Sequence, residues 1–229
     1  MDSVEGAITA LRKGRFVLVH DEMGREDEID MVIAAEQINP DHISTFRRIA
    51  GGLICLAVAN EIAVKLGLVY MHEIIQDLSR VNPVFKKLTA GRSPYGDNPS
   101  FSISVNHRDT YTGITDIDRA LTIMKMAEVC KKIDSTGVDE FSNNFRAPGH
   151  VPILIASKGL LYGRTGHTEL CIYLMNIAGL VPAVAICEML DSTTHRALSI
   201  KKAKKYASKN NIPLLESIQL KKDVYQDVY

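Results

Sequence analysis

Two hydrophobic periods run along this chain, and the switches between them mark out its elements. Residues 4–13 carry Val4, Ala7, Ile8 and Leu11 at helical spacing and stop at Gly14, which predicts an amphipathic helix. Apolar runs at 16–20 and 31–35 predict strands on either side of an acidic stretch. Asn39-Pro40 opens a helix that stops at Gly51-Gly52, residues 53–59 read as a buried strand, and Asn60 is the expected cap of a short helix ending at Gly67. From 70 to 99 the breakers Pro83, Gly91, Pro94, Gly96 and Pro99 leave only helix fragments and loop around the core. Residues 101–105 alternate as a half-exposed strand, and 116–131 form a helix. A polar loop then leads through Arg146-Ala147-Pro148-Gly149-His150 to a strand at 151–156. An apolar helix stopping near Gly179 precedes a buried strand at 181–187. A Lys-rich surface helix at 199–209 follows, and Pro213 confines the extended stretch 212–215 to a sheet edge or a strand start. Helices and strands alternate without a repeat or a Ser/Gly-rich linker, so the expected architecture is one α/β (α+β) domain over residues 1–229.

Composition narrows the partners. Lys+Arg and Asp+Glu both count 27, so no net field favours nucleic acid or an anionic membrane, and a small metabolite is the expected ligand. Cys55, Cys130, Cys171 and Cys187 are widely spaced, which argues against a zinc ribbon and a disulfide framework. With no signal peptide pattern, that usage points to the cytoplasm. The apolar run 170–187 approaches membrane-spanning length, but Asn176, Gly179 and Pro182 interrupt it.

Chemistry concentrates in two constellations. In Arg25-Glu26-Asp27-Glu28-Ile29-Asp30 three carboxylates fall at every second position, on one face if the stretch is extended. Such a cluster is either a solvated acidic loop or the ligand set of a divalent cation. In Gly163-Arg164-Thr165-Gly166-His167-Thr168-Glu169 a helix start supplies free N–H groups for an anion. There Arg164 can fork onto phosphate oxygens, and His167 could instead complete a metal site. The plainer alternative is a helix capped by Thr168. Weaker candidates are Cys55 at the head of a buried strand, Thr112 in a turn, His150 after Pro148-Gly149, and Glu188 at a strand end. These residues support a metal-assisted enzyme acting on a phosphorylated, polyhydroxylated small molecule, without choosing the reaction.

Six motifs in register, Arg25-Glu26-x-Glu28-x-Asp30, Gly51-Gly52-Leu53-Ile54-Cys55, Thr112-Gly113-Ile114-Thr115 with Asp118-Arg119-Ala120, Arg146-x-Pro148-Gly149-His150, Arg164-x-Gly166-His167-Thr168-Glu169 and Cys187-Glu188, make the chain resemble the 3,4-dihydroxy-2-butanone 4-phosphate synthases nearly end to end. The match is to the standalone form, without the additional cyclohydrolase domain of fused versions. The resemblance implies a single three-layer domain with a mixed, twisted β-sheet between helices, and a homodimer with sites near the interface. It implies conversion of D-ribulose 5-phosphate into L-3,4-dihydroxy-2-butanone 4-phosphate and formate, with Mg2+ or Mn2+. Carried over by position, Glu26 and His167 are the expected metal ligands, and Arg164, Thr165, Gly166 and Thr168 the phosphate cradle. Arg25, Asp30 and Thr112 are expected on the sugar, with Glu26, His167 and Glu188 also facing the substrate. Glu188 is the first choice for general base, Glu28, Asp30 and Cys55 are candidates for further proton transfers, and His150 is supportive. Gly24 and Ile29 depart from the usual family residues, and they suggest a mobile acidic loop with Ile29 as an apolar anchor over the substrate. The competing expectations are a sugar-phosphate isomerase or aldolase, which releases no formate, and a catalytically silent ligand-binding module.

Overall fold

The computed structural model describes residues 3–89 and 91–226. In chain order the elements are α1 (Val4–Arg12), β1 (Val17–His20), β2 (Ile29–Ala34), α2 (Pro40–Thr45, continued by a π-helical turn Phe46–Ala50), β3 (Cys55–Val58) and α3 (Asn60–Lys65). Next come α4 (Met71–Leu78), α5 (Val84–Leu88), β4 (Phe101–His107), α6 (Asp116–Lys131), α7 (Gly137–Asn144) and β5 (Phe145–Ile155). The chain closes with α8 (His167–Ile177), β6 (Ala183–Glu188), a small hairpin of β7 (Leu190–Asp191) and β8 (Arg196–Ala197), α9 (Ile200–Asn210), β9 (Leu214–Glu216) and α10 (Ser217–Gln226).

A seven-stranded mixed sheet runs in the order β4-β5-β3-β6-β2-β1-β9, parallel only where β3 meets β5 and β1 meets β9. Every residue of β1, β2 and β3 is buried, as expected of strands covered on both faces. One covering layer is α8, packed across β3, β6, β2 and β1 with α1 and α10 beside it; the other is α6, packed on β4, β5 and β6 with α2 and α7 beside it. Those are the three layers expected above, and fully buried Leu18, Met31, Ile33, Leu56, Ile153 and Leu170 form the core between them.

Most predicted elements stand within a few residues of their expected bounds, and the exceptions are instructive. Residues 137–144 are helical rather than loop, with Phe141 packing against Phe145 (5.4 Å between ring centroids) in a segment that is otherwise mostly polar. β5 begins at Phe145, so Pro148 and Gly149 lie inside a strand. The register with β4 shifts there, between Val105 and Asn106, and Ser104 Oγ and Asn106 Oδ1 accept from the Gly149 and His150 N–H groups (3.3 and 2.8 Å). A Cβ on Gly149 would collide with the Val105 backbone, so glycine alone fits at that close approach. Asn60 is not a cap: Ala59 precedes α3 and Asn60 is its first residue. Gly166, not Thr168, is the N-cap of α8, and Thr168 lies buried inside the helix. The helix α10 follows β9, where the hydrophobic pattern gave no reading.

Candidate active site

Antiparallel pairing of β2 and β6 puts Asp30 directly opposite Glu188, at the β2 start and the β6 end. Glu188 is held from behind: its Oε2 accepts the Leu53 N–H at 2.7 Å and its carbonyl accepts the Gly52 N–H at 3.0 Å. A Cβ at Gly52 would overlap the Glu188 carboxylate, so the Gly51-Gly52 motif is explained by the close approach of this acid. Asp30 is buried and its Oδ1 has no hydrogen-bond partner. Burial pushes its carboxyl from 3.8 up to about 7; Glu188, Glu26 and Glu28 add to the rise while His167 opposes it.

The acidic segment reaches the site by a route other than extended alternation. Asp27 sits at φ +52, and residues 22–28 form a turn that becomes strand only at Ile29. Asp21, buried behind the turn, ties it down by accepting the Glu26 and Glu28 N–H groups, both at 3.1 Å. Ile29 is fully buried in β2, so it anchors the loop in the core and does not cover a substrate. Glu26, Glu28 and Asp30 nevertheless line one cleft of about 500 Å³ with Arg25, Arg164, His167 and Glu188, so four carboxylates stand against two guanidiniums and one imidazole.

His167 opens α8 fully enclosed. Its Nε2 lies 3.1 Å from the Glu28 carbonyl, which can only accept, so Nε2 carries a proton and Nδ1 faces Glu26 Oε2 at 3.2 Å. Burial works against the charged ring, but Asp30, Glu26 and Asp21 outweigh it and hold His167 protonated up to about 10. The same hydrogen bond is the main cause holding Glu26 down at about 2. Nδ1 and Oε2 thus share a proton at a place where a divalent cation could replace it. Ligand atoms of Asp21, Glu26 and His167 lie within 4.8 Å of one another, so the donor set fits a metal ion, with the Glu28 carbonyl orienting the ring.

The basic side is built at the α8 start. Arg164 donates from Nε to Asp97 Oδ2 (3.2 Å) and from Nη1 to Ser100 Oγ, and it stands 3.6 Å from Glu169 Oε1. Arg25 donates from Nη1 to the same Asp97 oxygen at 2.6 Å. Gly166 leaves room for both: a Cβ there would lie 3.0 Å from Arg25 Nη2 and 3.4 Å from Arg164 Cζ. Thr165 and Thr168 flank this glycine, Thr165 half-buried and Thr168 buried.

Thr165, Gly166 and Thr168 border the cleft at the α8 start without lining it, and three other expected residues lie away from it. Cys55 is buried behind it, and burial pushes its thiol above the ordinary range, as for a cysteine packed as a small hydrophobe. Thr112 is exposed and its hydroxyl serves Asp118 Oδ2 (3.3 Å), the acid that also accepts the Tyr111 and Gly113 N–H groups and pins that turn. His150 is exposed, with Nδ1 accepting from Asn106 Nδ2 at 3.1 Å. Conversely, Asp21, Tyr95, Asp97 and Ser100 belong to the site without having been expected. Tyr95, which hydrogen-bonds Glu26, comes with Asp97 and Ser100 from the breaker-rich stretch, where only Pro and Gly stood out. Asp21 lies four residues before Arg25 and could have been included with the acidic motif.

A family model described as 3,4-dihydroxy-2-butanone 4-phosphate synthase matches residues 5–222. The chain is 45% identical to the protein of that name from Methanothermobacter thermautotrophicus, over 95% of this chain and 93% of the relative. It is 44% identical to the one from Archaeoglobus fulgidus, over 93% and 90%. Among solved structures it is similar to a 3,4-dihydroxy-2-butanone 4-phosphate synthase in complex with two magnesium ions, at TM-score 0.76 and 27% identity, covering 99% of this chain and 98% of that one.

Proposed function

The chain belongs to the 3,4-dihydroxy-2-butanone 4-phosphate synthase family, and from that premise we propose that it converts D-ribulose 5-phosphate into L-3,4-dihydroxy-2-butanone 4-phosphate and formate as a step of riboflavin biosynthesis. The observation that carries this reading is one cleft holding two kinds of group together: paired carboxylates Asp30 and Glu188, and a fork of two guanidiniums at a helix start. A ketose phosphate fits such a cleft with its phosphoryl group on Arg164, Thr165, Gly166 and Thr168, and its hydroxyls toward Arg25, Glu26, Glu28 and Asp30.

Glu188, oriented by the Leu53 N–H, is the base that removes a carbon-bound proton during enolisation. Asp30, pushed up to about 7, is close to half-protonated at neutrality and can hand a proton to a departing hydroxyl; Glu28, also pushed up by burial, serves the later transfers. Glu26 and His167 would hold a divalent cation, Mg2+ or Mn2+, whose Lewis acidity stabilises negative charge on substrate oxygens. Neither Cys55 nor the chain's own His150 takes part in this scheme.

We read residues 1–229 as one domain acting as a homodimer with its sites near the interface. Exposed Ile49, Leu53, Tyr111, Ile114, Ile117 and Leu190 support that reading, as does the Arg47–Asp116 pair (3.1 Å) that ties α2 to the α6 start on the same side. Thr112 and His150 stand on or beside that surface. The reading also places the protein in the cytoplasm. Four free cysteines fit a reducing compartment, and among the described residues no helix is long and apolar enough to cross a membrane.

The deciding experiment is formate release from D-ribulose 5-phosphate by the purified protein, with Mg2+ and then with excess chelator. We expect metal-dependent formate. A ketose or aldose product without formate would replace this reading with an isomerase or aldolase, and binding without turnover would leave a ligand-binding module.

A further inference from the structure

Residues 69–99 are held to the body differently from everything else around the cleft. Neither α4 nor α5 has a buried side chain, and Leu78, Val81, Val84 and Leu88 are exposed. Yet this segment delivers Asp97 to the point where Arg25 and Arg164 meet. One oxygen, Oδ2, serves both guanidiniums. Although burial resists, those guanidiniums hold the Asp97 carboxyl below the usual carboxylate range.

The arrangement leaves donors over. Arg25 Nε and Nη2 are buried without a hydrogen-bond partner, and Nη2 faces Gly166 at the start of α8, whose first N–H groups also only donate. Beyond Asp97 the guanidiniums have only looser carboxylate neighbours, Asp21 at 3.7 Å from Arg25 Nε and Glu169 at 3.6 Å from Arg164 Nη1, and a phosphoryl group with three terminal oxygens can take the donors that remain. A side chain meant to fix the guanidiniums permanently would be expected on a rigid element. Asp97 follows two helices, α4 and α5, that bury no side chain.

We propose that Asp97 is a resident counter-anion of the phosphate cradle, holding Arg25 and Arg164 side by side until the substrate's phosphoryl group displaces it. The inference rests on the reading that Arg164 and the α8 start bind that phosphoryl group. Asp97 then acts as a positioning residue that is also a competitor, and it weakens apparent affinity in return for keeping two like charges together.

The test is calorimetric titration of inorganic phosphate into the wild-type protein, Asp97→Asn and Arg164→Ala, with KM for D-ribulose 5-phosphate measured alongside. Asp97→Asn should bind phosphate about fivefold more tightly, the scale of a partly exposed ion pair. Its KM should fall in parallel, and Asp97→Glu should return both toward wild type. Unchanged or weaker phosphate binding by Asp97→Asn, with Arg164→Ala still impaired, would overturn the counter-anion role and leave the cradle standing. Phosphate binding indifferent to Arg164→Ala would overturn the cradle and the counter-anion role together.

Discussion

The β2–β6 pair and the 69–99 segment both deliver acids to one cleft, but different forces hold them. Asp30 and Glu188 ride on strands whose register is fixed by backbone pairing and by fully buried neighbours such as Ile33 and Ala185. Asp97 and Tyr95 ride on a segment whose α4 and α5 bury no side chain and whose attachments to the cleft are polar, through Arg25, Arg164 and Glu26. The groups proposed to move protons are therefore set by the core, where a displacement would cost packing on both faces. The groups proposed to meet the ligand's charge are set by electrostatics, which a ligand can replace. Rigidity has been placed where atoms must align, and freedom where an anion must enter.

The sharpest break of the comparison is Glu188→Gln. The amide oxygen can still accept from Leu53 N–H, so binding should persist, while formate release should fall by about 10²–10⁴-fold. Steady-state kinetics with near-normal turnover would take Glu188 out of the mechanism.

Truncating one leucine in each region tests the packing contrast directly. Leu56 on β3 is 0% exposed and Leu88 on α5 is 69% exposed. Leu56→Ala should cost about 2–5 kcal/mol in urea unfolding. Leu88→Ala should stay within about 0.5 kcal/mol of wild type. Equal losses would mean that residues 69–99 are built into the core after all.

Arg164→Ala should weaken D-ribulose 5-phosphate binding by about 1.5–3 kcal/mol, the scale of a charge-assisted hydrogen bond. Unchanged affinity would place the phosphate elsewhere.

A further expected effect is on stability and depends on pH. Because burial raises Asp30 from 3.8 to about 7, the folded protein keeps a proton that the unfolded chain gives up across that window. The raised group's contribution is full below about pH 4 and is lost as pH climbs toward 7. Asp30→Asn cannot ionise, so in chelator it should be more stable than wild type at pH 8, with the gap closing by pH 4. Thermal melts across that range would show it, and a gap of constant size would mean that Asp30 is already ionised in the folded state.

Much of the scaffold could be read from local order. The run Val17-Leu18-Val19 could only be a buried strand, Gly14, Gly51 and Gly179 stop helices at positive φ, and Pro213 marks a sheet edge, where β9 indeed lies. The two chemical constellations were legible for a similar reason, since like charges and a Gly-rich helix start are local patterns. What the linear order could not carry was which distant groups would meet. Asp97 stands in a stretch without periodicity, and its meaning comes only from two arginines 72 and 67 residues away along the chain. The α7 helix is held by contacts outside its own pattern, Phe141 on Phe145 and Glu140 on Lys132. Cys55 shows the converse: only the family resemblance made it a candidate for proton transfer, and it lies buried with its thiol pushed up by that burial.

By itself, then, the amino-acid order determined the elements, the α/β class and the short list of reactive side chains, because backbone preference and burial periodicity act over a few residues. Only tertiary structure decided that Asp30 faces Glu188, that His167 shares its proton with Glu26, and that Asp97 joins Arg25 to Arg164. Ionisation and pairing depend on solvent exclusion and on distances of a few ångströms between groups far apart in the chain, and these exist only once the sheet is assembled.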